Sequence, residues 1–454
     1  MKLLLRSIGL LLAVVYPWAI ANQQVLAKPP TSTIDIAQTK VSALEKALNR
    51  GDLKEVIPQI EATWENQYET YFKTDFVNRT IGDSAMSSTL NRIARTTGKN
   101  TALIYLIPGQ QQLDIIAVFP NRRPIHKRVK QANNRALLAK VNEFKNTLTI
   151  PSQRNTNRYL PVSKQLYQWI VAPIESDLKA QKIDTLMFCV GVGLRTMPIA
   201  ALHDGKRFLV EKYSIGRIPA FKLTNATFTS IKTAPILAMG ASEFSNRSSL
   251  PAVPLELALV TQNRQRDRSF LNQEFTLNNL QFQLKKQPFR VIHLATHANF
   301  QSGAPSNSYV QFWNTRLQLN QIRQLGWQKI PIELLVLSAC ETAIGDRDAE
   351  LGFAGLAVNA GVKSAIASLW FVSDEGTLAL MSELYRQLRT SPIKAEALRQ
   401  AQIAMIRGKV RLEKGQLRTA RGNIRLPPQL ASLGKRNLAH PYYWSAFTVV
   451  GSPW

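Results

Sequence analysis

Three continuous apolar runs stand out in the second half of the chain: Phe289–Thr296 (FRVIHLAT), Ile332–Ala339 (IELLVLSA) and Lys363–Trp370 (KSAIASLW). A strand with one wet face alternates apolar and polar residues, whereas a strand covered on both faces does not. These runs therefore predict buried parallel strands. Asp184–Val190 and Ala234–Ala241 read the same way, and Thr101–Pro108 with Leu113–Pro120 predict a strand pair around Gly109–Gln112. Between the strands, three- and four-residue apolar spacing predicts helices over Gln131–Leu148, Tyr159–Gln181, Leu255–Gln262, Leu277–Lys286, Asp374–Arg389 and Ile393–Arg407. A short helix is expected over Leu317–Leu325, and another over Ala349–Ala360, stopped by Gly361. The Asp204-Gly205 pair predicts a hairpin within Met197–Val210, and Trp444–Val450 reads as a last strand. Ile34–Phe72 is helical by pattern, broken at Asn49–Asp52. The repeated order of strand, helix and parallel strand makes this an α/β protein with right-handed crossovers.

The first residues do not fit that pattern. Met1–Ala27 has Lys2 and Arg6, then an apolar stretch Ile8–Ile20, then small-residue sites at Ala21 and Ala27. That is the layout of a cleaved secretory signal peptide, with an uncleaved membrane anchor as the rival reading, disfavoured because the apolar run is short for a span of about 20 residues; the protein is expected to be exported to a periplasm, a lumen or the extracellular space, with no later membrane span. With 454 residues the chain is long enough for two or three domains.

Lys and Arg number 57 against 30 Asp and Glu, a formal net charge of +27. Two basic runs contribute, Arg122–Lys130 and the long Pro-containing stretch Lys409–Arg436, which reads as a loop. Neither is interleaved with aromatic residues, so a platform for stacking bases is not indicated and nucleic acid is not an expected partner. The basic loops could instead meet an anionic surface. The two cysteines, Cys189 and Cys340, are too few for a disulfide scaffold, although a bond between them is one alternative. The histidines carry no metal-binding spacing, and no cofactor or metal is expected.

The chemistry lies where two neighbouring strands end. The first run is followed by His297 and the second by Cys340. In open α/β sheets, ligands sit beyond the carboxyl ends of the strands. A thiol with a pKa of about 8.5 is mostly protonated at neutral pH, so a Cys nucleophile needs a base. His297 can serve as that base and later as the acid for the leaving amine. His293, inside the strand, reads as a satisfied core histidine.

The segments HLATHA with His297, LVLSACETAIGD with Cys340, GFAGLAVNAGVKSAIASLW, Asp374 and the closing HPYYWSAFTVVGSPW together resemble the CHAT domain, a bacterial branch of the caspase/separase-like cysteine peptidases. Gly193-Leu194-Arg195, MPIAALHDG and Glu211-Lys212-Tyr213 extend the resemblance to an earlier unit. It implies a caspase-like three-layer sandwich with a mostly parallel sheet. Residues 234–454 would be catalytic, 101–233 a non-catalytic pseudo-caspase unit, and 28–100 a linker and helical region. It implies Cys340 as nucleophile, His297 as base, and an oxyanion hole from the backbone N–H groups of Ala298 and Cys340. The family commonly has Gly where Ala298 stands; Ala keeps the N–H but fits poorly if the position needs a positive φ. The expected partner is a protein or peptide substrate. Asp374 and Asp346 are candidate carboxylates for a pocket that would select Arg or Lys before the cleaved bond. Asp346, with Asp348 and Glu350, also reads as a charge favouring a helix N-terminus or as a Ca²⁺ ligand, and Asp374 reads as the cap of the helix after the Trp370 strand. No third catalytic residue is evident, and a catalytically silent caspase-like scaffold acting through basic loops is the alternative.

Overall fold

The three apolar runs sit side by side in the middle of one sheet. The structure is a computed structural model that describes residues 44–76, 82–262, 265–342, 346–420 and 422–454. The expected signal peptide and the Lys28–Thr33 linker lie outside the described residues. In chain order the strands are β1 (Thr101–Pro108), β2 (Leu113–Phe119), β3 (Arg122–Val129), β4 (Thr185–Val190), β5 (Ser214–Ile218), β6 (Ile236–Gly240), β7 (Arg268–Leu271) and β8 (Val291–Phe300). They continue with β9 (Tyr309–Gln311), β10 (Arg316–Gln318), β11 (Leu334–Thr342), β12 (Ser364–Ser368), β13 (Arg411–Glu413), β14 (Gln416–Thr419), β15 (Gly422–Arg425) and β16 (Phe447–Gly451).

Among the described residues thirteen of these form one sheet in the order β10-β9-β8-β11-β12-β16-β5-β4-β1-β2-β3, with β6 paired to both β8 and β7. The central pairings β8/β11, β11/β12, β16/β5, β4/β5 and β1/β4 are parallel. Leu334 to Ser338 of β11 and all of β12 are buried, as strands covered by helices on both faces must be. The two α/β units expected on either side of residue 233 therefore share a single sheet, joined where Val449 of β16 pairs with Gly216 of β5. At the far edge, the basic run Arg122–Lys130 forms most of β3, whose exposed charges discourage pairing with another chain. No helix among the described residues is long and apolar enough to cross a membrane.

Several elements differ from expectation. Leu317–Leu325 is not a helix: Leu317 and Leu319 are buried while Arg316 and Asn320 are exposed, a period of two that makes β10, and only a 3-10 turn follows at Ile322–Leu325. Lys409–Arg436 is not a loop. Val410, Leu412 and Leu417 are buried beneath β13–β15, Lys414 and Gly415 turn the chain with positive φ, and Glu413 pairs with Arg411 and Arg418. The Asp204-Gly205 turn closes only an isolated bridge between His203 and Phe208 before a short helix at Leu209–Lys212. The helix expected over Tyr159–Gln181 is interrupted around Pro173, which cannot donate a helical hydrogen bond. Trp444 ends a short helix, Pro441–Trp444, and the last strand starts at Phe447. The stop at Gly361 is as expected, in the left-handed conformation at φ 72°.

Candidate active site

His297 and Cys340 lie on adjacent parallel strands. Ala339 pairs with His297 and Cys340 with Ala298, after a register irregularity between Leu337 and Ala339. Strands spaced about 4.8 Å apart with a rise of about 3.3 Å per residue put the two backbones roughly 6 Å apart. A bulge at that point re-aims side chains near the end of a strand. Both strands run on past the expected ends, β8 to Phe300 and β11 to Thr342. The side chain of Cys340 lies outside the described part of the structure. Cys189 is a free, fully buried thiol in β4, so the alternative Cys189–Cys340 disulfide is absent.

The surroundings of His297 follow from how β8 is paired. β6 covers its edge from Val291 to Ala295, and β9 covers the same edge at Ala298 and Asn299. In the interval between them, the chain leaving β6 folds over His297. The imidazole Nε2 lies 2.9 Å from the carbonyl oxygen of Ser248. A carbonyl can only accept, so Nε2 carries the proton and Nδ1 is the basic nitrogen. The ring is flanked by Phe244 at 4.7 Å and lies nearly parallel to Phe371 at 6.4 Å between centroids. Phe371 is 42% exposed, and its carbonyl accepts a hydrogen bond from the Tyr442 hydroxyl, which ties this ring to the closing HPYYW segment. Sequence pattern does not point to Ser248 or Phe244. Phe371 alone carries a signal, as an aromatic residue directly past a buried strand.

Behind the site, His293 is fully buried, as expected of a core histidine. Its Nδ1 is 3.0 Å from the Tyr385 hydroxyl and its Nε2 is 2.9 Å from Glu256. Asp374 is not the cap of its helix: Ser373 stands at the N-cap, Asp374 begins the helix Asp374–Leu388, and its carboxylate turns to accept the Ala252 N–H at 2.6 Å, pinning the end of the segment that carries Ser248. Burial pushes the Asp374 carboxyl up to about 7, against the Ala252 hydrogen bond and with help from the nearby charges of Glu256 and Glu375. Asp346 is the N-cap of the helix Arg347–Ala354, with its Oδ1 accepting from Asp348 N and Ala349 N. Burial raises its carboxyl, but hydrogen bonds from Ala349, Ser302 and Asp348 outweigh that and hold it below the usual range. Ala298 is an extended strand residue paired with Cys340 on one side and Val310 on the other, so no positive φ is asked of it.

The helix that follows the Cys340 strand is fastened to the earlier unit. Glu350 is fully buried, and its carboxylate accepts from Gly193 N at 2.9 Å and Thr196 Oγ1 at 2.8 Å. Lys145 Nζ stands 3.6 Å away and also donates to Thr196.

A family model, the CHAT domain, matches residues 160–452. The chain belongs to the CHAT domain family. The fold of this CHAT chain is the one its motifs implied, a large, mostly parallel sheet between helices. Similar solved structures include the separase–securin complex of Saccharomyces cerevisiae, at 10% identity and a TM-score of 0.48 over 88% of this chain and 33% of that one. Thus the chain spans a third of the separase chain's length. Another is the complex of the pro- and mature domains of RgpB from Porphyromonas gingivalis, at 12% identity and a TM-score of 0.39, covering 77% of this chain and 78% of that one. The Arg-specific cysteine proteinase gingipain R matches at 11% identity and a TM-score of 0.37, over 70% and 74% of the two chains. No curated protein matches the sequence.

Proposed function

We propose that this CHAT protein is an exported cysteine endopeptidase that cleaves peptide bonds with Cys340 and His297. The thiol proton of Cys340 passes to Nδ1 of His297, and the thiolate adds to the scissile carbonyl. The imidazolium then protonates the departing amine, leaving a thioester. Imidazole next takes a proton from water, the hydroxide adds to the thioester, and the thiol leaves with that proton. N–H groups at Ala298 and Cys340 are the proposed oxyanion donors, a contribution worth about 3–4 kcal/mol each where measured. Asp374 is the proposed carboxylate for a basic substrate residue, and the basic surface is a proposed contact for anionic partners.

The observation that carries the reading is the Ser248 carbonyl on Nε2 of His297, which sets the tautomer a base needs, one register step from Cys340. A thiol-reactive probe tests it. Cys340 is expected to label far faster than Cys189, whose buried thiol is pushed well above its usual pKa. Incubation with a proteome is expected to generate new N-termini with the wild type and none with Cys340→Ala. Equal labelling of the two thiols, with no new termini, returns the scaffold reading. Export is tested by the N-terminal mass of the mature protein, which should begin after Ala21 or Ala27.

A further inference from the structure

A cavity of about 410 Å³ opens beside His297, between the segment leaving β6 and the β9–β10 hairpin. Phe244 and Gln311 line it on the His297 side: Phe244 packs on the imidazole, and the Gln311 carbonyl accepts from the Thr296 hydroxyl next to His297. Trp313, Arg247 and Arg316 complete its character. The two guanidinium groups stand 5.4 and 4.7 Å from the ring centre of one residue, Tyr309. Sharing one ring, the two cations lie no more than about 10 Å apart, a spacing comparable to the screening length in ordinary salt. Arg247 donates to the Tyr309 hydroxyl, but its Nε is buried with no acceptor. Besides the Tyr309 ring, the Arg316 side chain is bound, among the described residues, to the neutral Gln311 side chain at 3.1 Å. Neither arginine forms an ion pair among the described residues. Arg316 is also exposed on β10, the free edge of the sheet, so a ligand can reach it.

We infer that this cavity is a substrate subsite that recognises an acidic side chain, Asp or Glu, close to the scissile bond. A carboxylate seated there accepts from planar guanidinium forks and supplies the anion that the cavity lacks. The inference rests on the peptidase reading for its place near a cleaved bond. It is separate from the basic-residue preference proposed through Asp374, so a favoured substrate carries opposite charges at different positions.

The test is a positional peptide library in which each Asp or Glu is compared with Asn or Gln. Cleavage by the full chain is scored together with fluorescence-polarisation binding to the Cys340→Ala protein. At one position near the cut, the acidic peptide is expected to exceed its amide twin by about tenfold or more in kcat/KM and in affinity. That ratio should fall towards one in Arg247→Gln/Arg316→Gln and decline with added salt in the wild type. The salt series keeps the test valid if the double variant folds poorly. Acidic and amide peptides behaving alike in both readouts, or a preference that survives the double variant and high salt, overturns the inference. Discriminating binding without any cleavage leaves the subsite standing and removes the peptidase reading.

Discussion

Asp374→Asn isolates the energetic consequence of placing a carboxyl behind the segment that orients His297. The side chain keeps its shape, and the amide oxygen can still accept the Ala252 N–H. What changes is the charge. The Asp374 carboxyl moves from an ordinary 3.8 to about 7 on folding, through burial first and then through Glu256 and Glu375. Because the folded value lies above the unfolded one, the unfolded chain releases this proton first. The contribution is fully favourable below about pH 4, is lost as pH rises through about 7, and is flat beyond. The full shift corresponds to about 4 kcal/mol, and partial solvent access reduces that to about 2 kcal/mol. Urea unfolding near pH 8 should therefore find Asp374→Asn more stable than wild type by about 2 kcal/mol, with the two converging near pH 4. If the variant is the less stable one at alkaline pH, the ionised carboxylate stabilises the fold through the Ala252 bond and the reasoning is wrong. The same variant reports on specificity: if Asp374 meets a basic substrate residue, peptides with Arg or Lys lose their advantage over Gln in Asp374→Asn.

Two further substitutions probe the frame around the site. Glu350→Ala strands the buried Lys145 ammonium near Arg217 and removes the acceptor of Gly193 and Thr196, so chemical denaturation should show a loss of about 3–5 kcal/mol, relieved in part by Lys145→Met. Gly240→Ala places a Cβ 2.5 Å from the Ala295 carbonyl oxygen and 2.9 Å from Val253, which forces β6 away from β8. The expected cost is about 1–3 kcal/mol in stability, with slower labelling of Cys340 by a thiol probe; unchanged labelling would show that the pairing of β6 does not govern the site.

The sheet was legible because its strands are buried on both faces, and such a strand requires an unbroken apolar run bounded by turn residues. β1, β4, β6, β8, β11 and β12 were all visible in this way, as were the neighbouring positions of His297 and Cys340. The Ser248 carbonyl that meets His297 was not, because every residue has a carbonyl and no side-chain pattern could single this one out. Two of the carboxylates that follow Cys340 in the chain are held elsewhere: Asp346 caps a helix, and Asp348 receives the Gly303 N–H. The hairpin in the basic stretch Lys409–Arg436 was hidden for a related reason. Its apolar residues are sparse, and charge dominates the pattern, although Leu412 and Leu417 face each other across β13 and β14 as a hairpin requires.

The segment between β6 and Ala252 unites the features around the imidazole. Phe244 packs on His297 and lines the cavity, Arg247 offers the cavity a cation, Ser248 accepts from Nε2, and Ala252 is held by Asp374. These contacts fall within nine residues, and the segment's two ends are fixed independently. One end follows Gly240, where only glycine allows β6 to lie against Ala295 and Val253. The other is tied to the helix Asp374–Leu388 through a carboxyl that titrates near neutrality. A ligand pulling on Arg247 acts on the neighbour of the carbonyl that sets the His297 tautomer. Binding in the cavity and basicity at Nδ1 thus share one short piece of backbone, a physical route by which, under the proposed peptidase reading, a correctly charged substrate would help to organise His297 as the base.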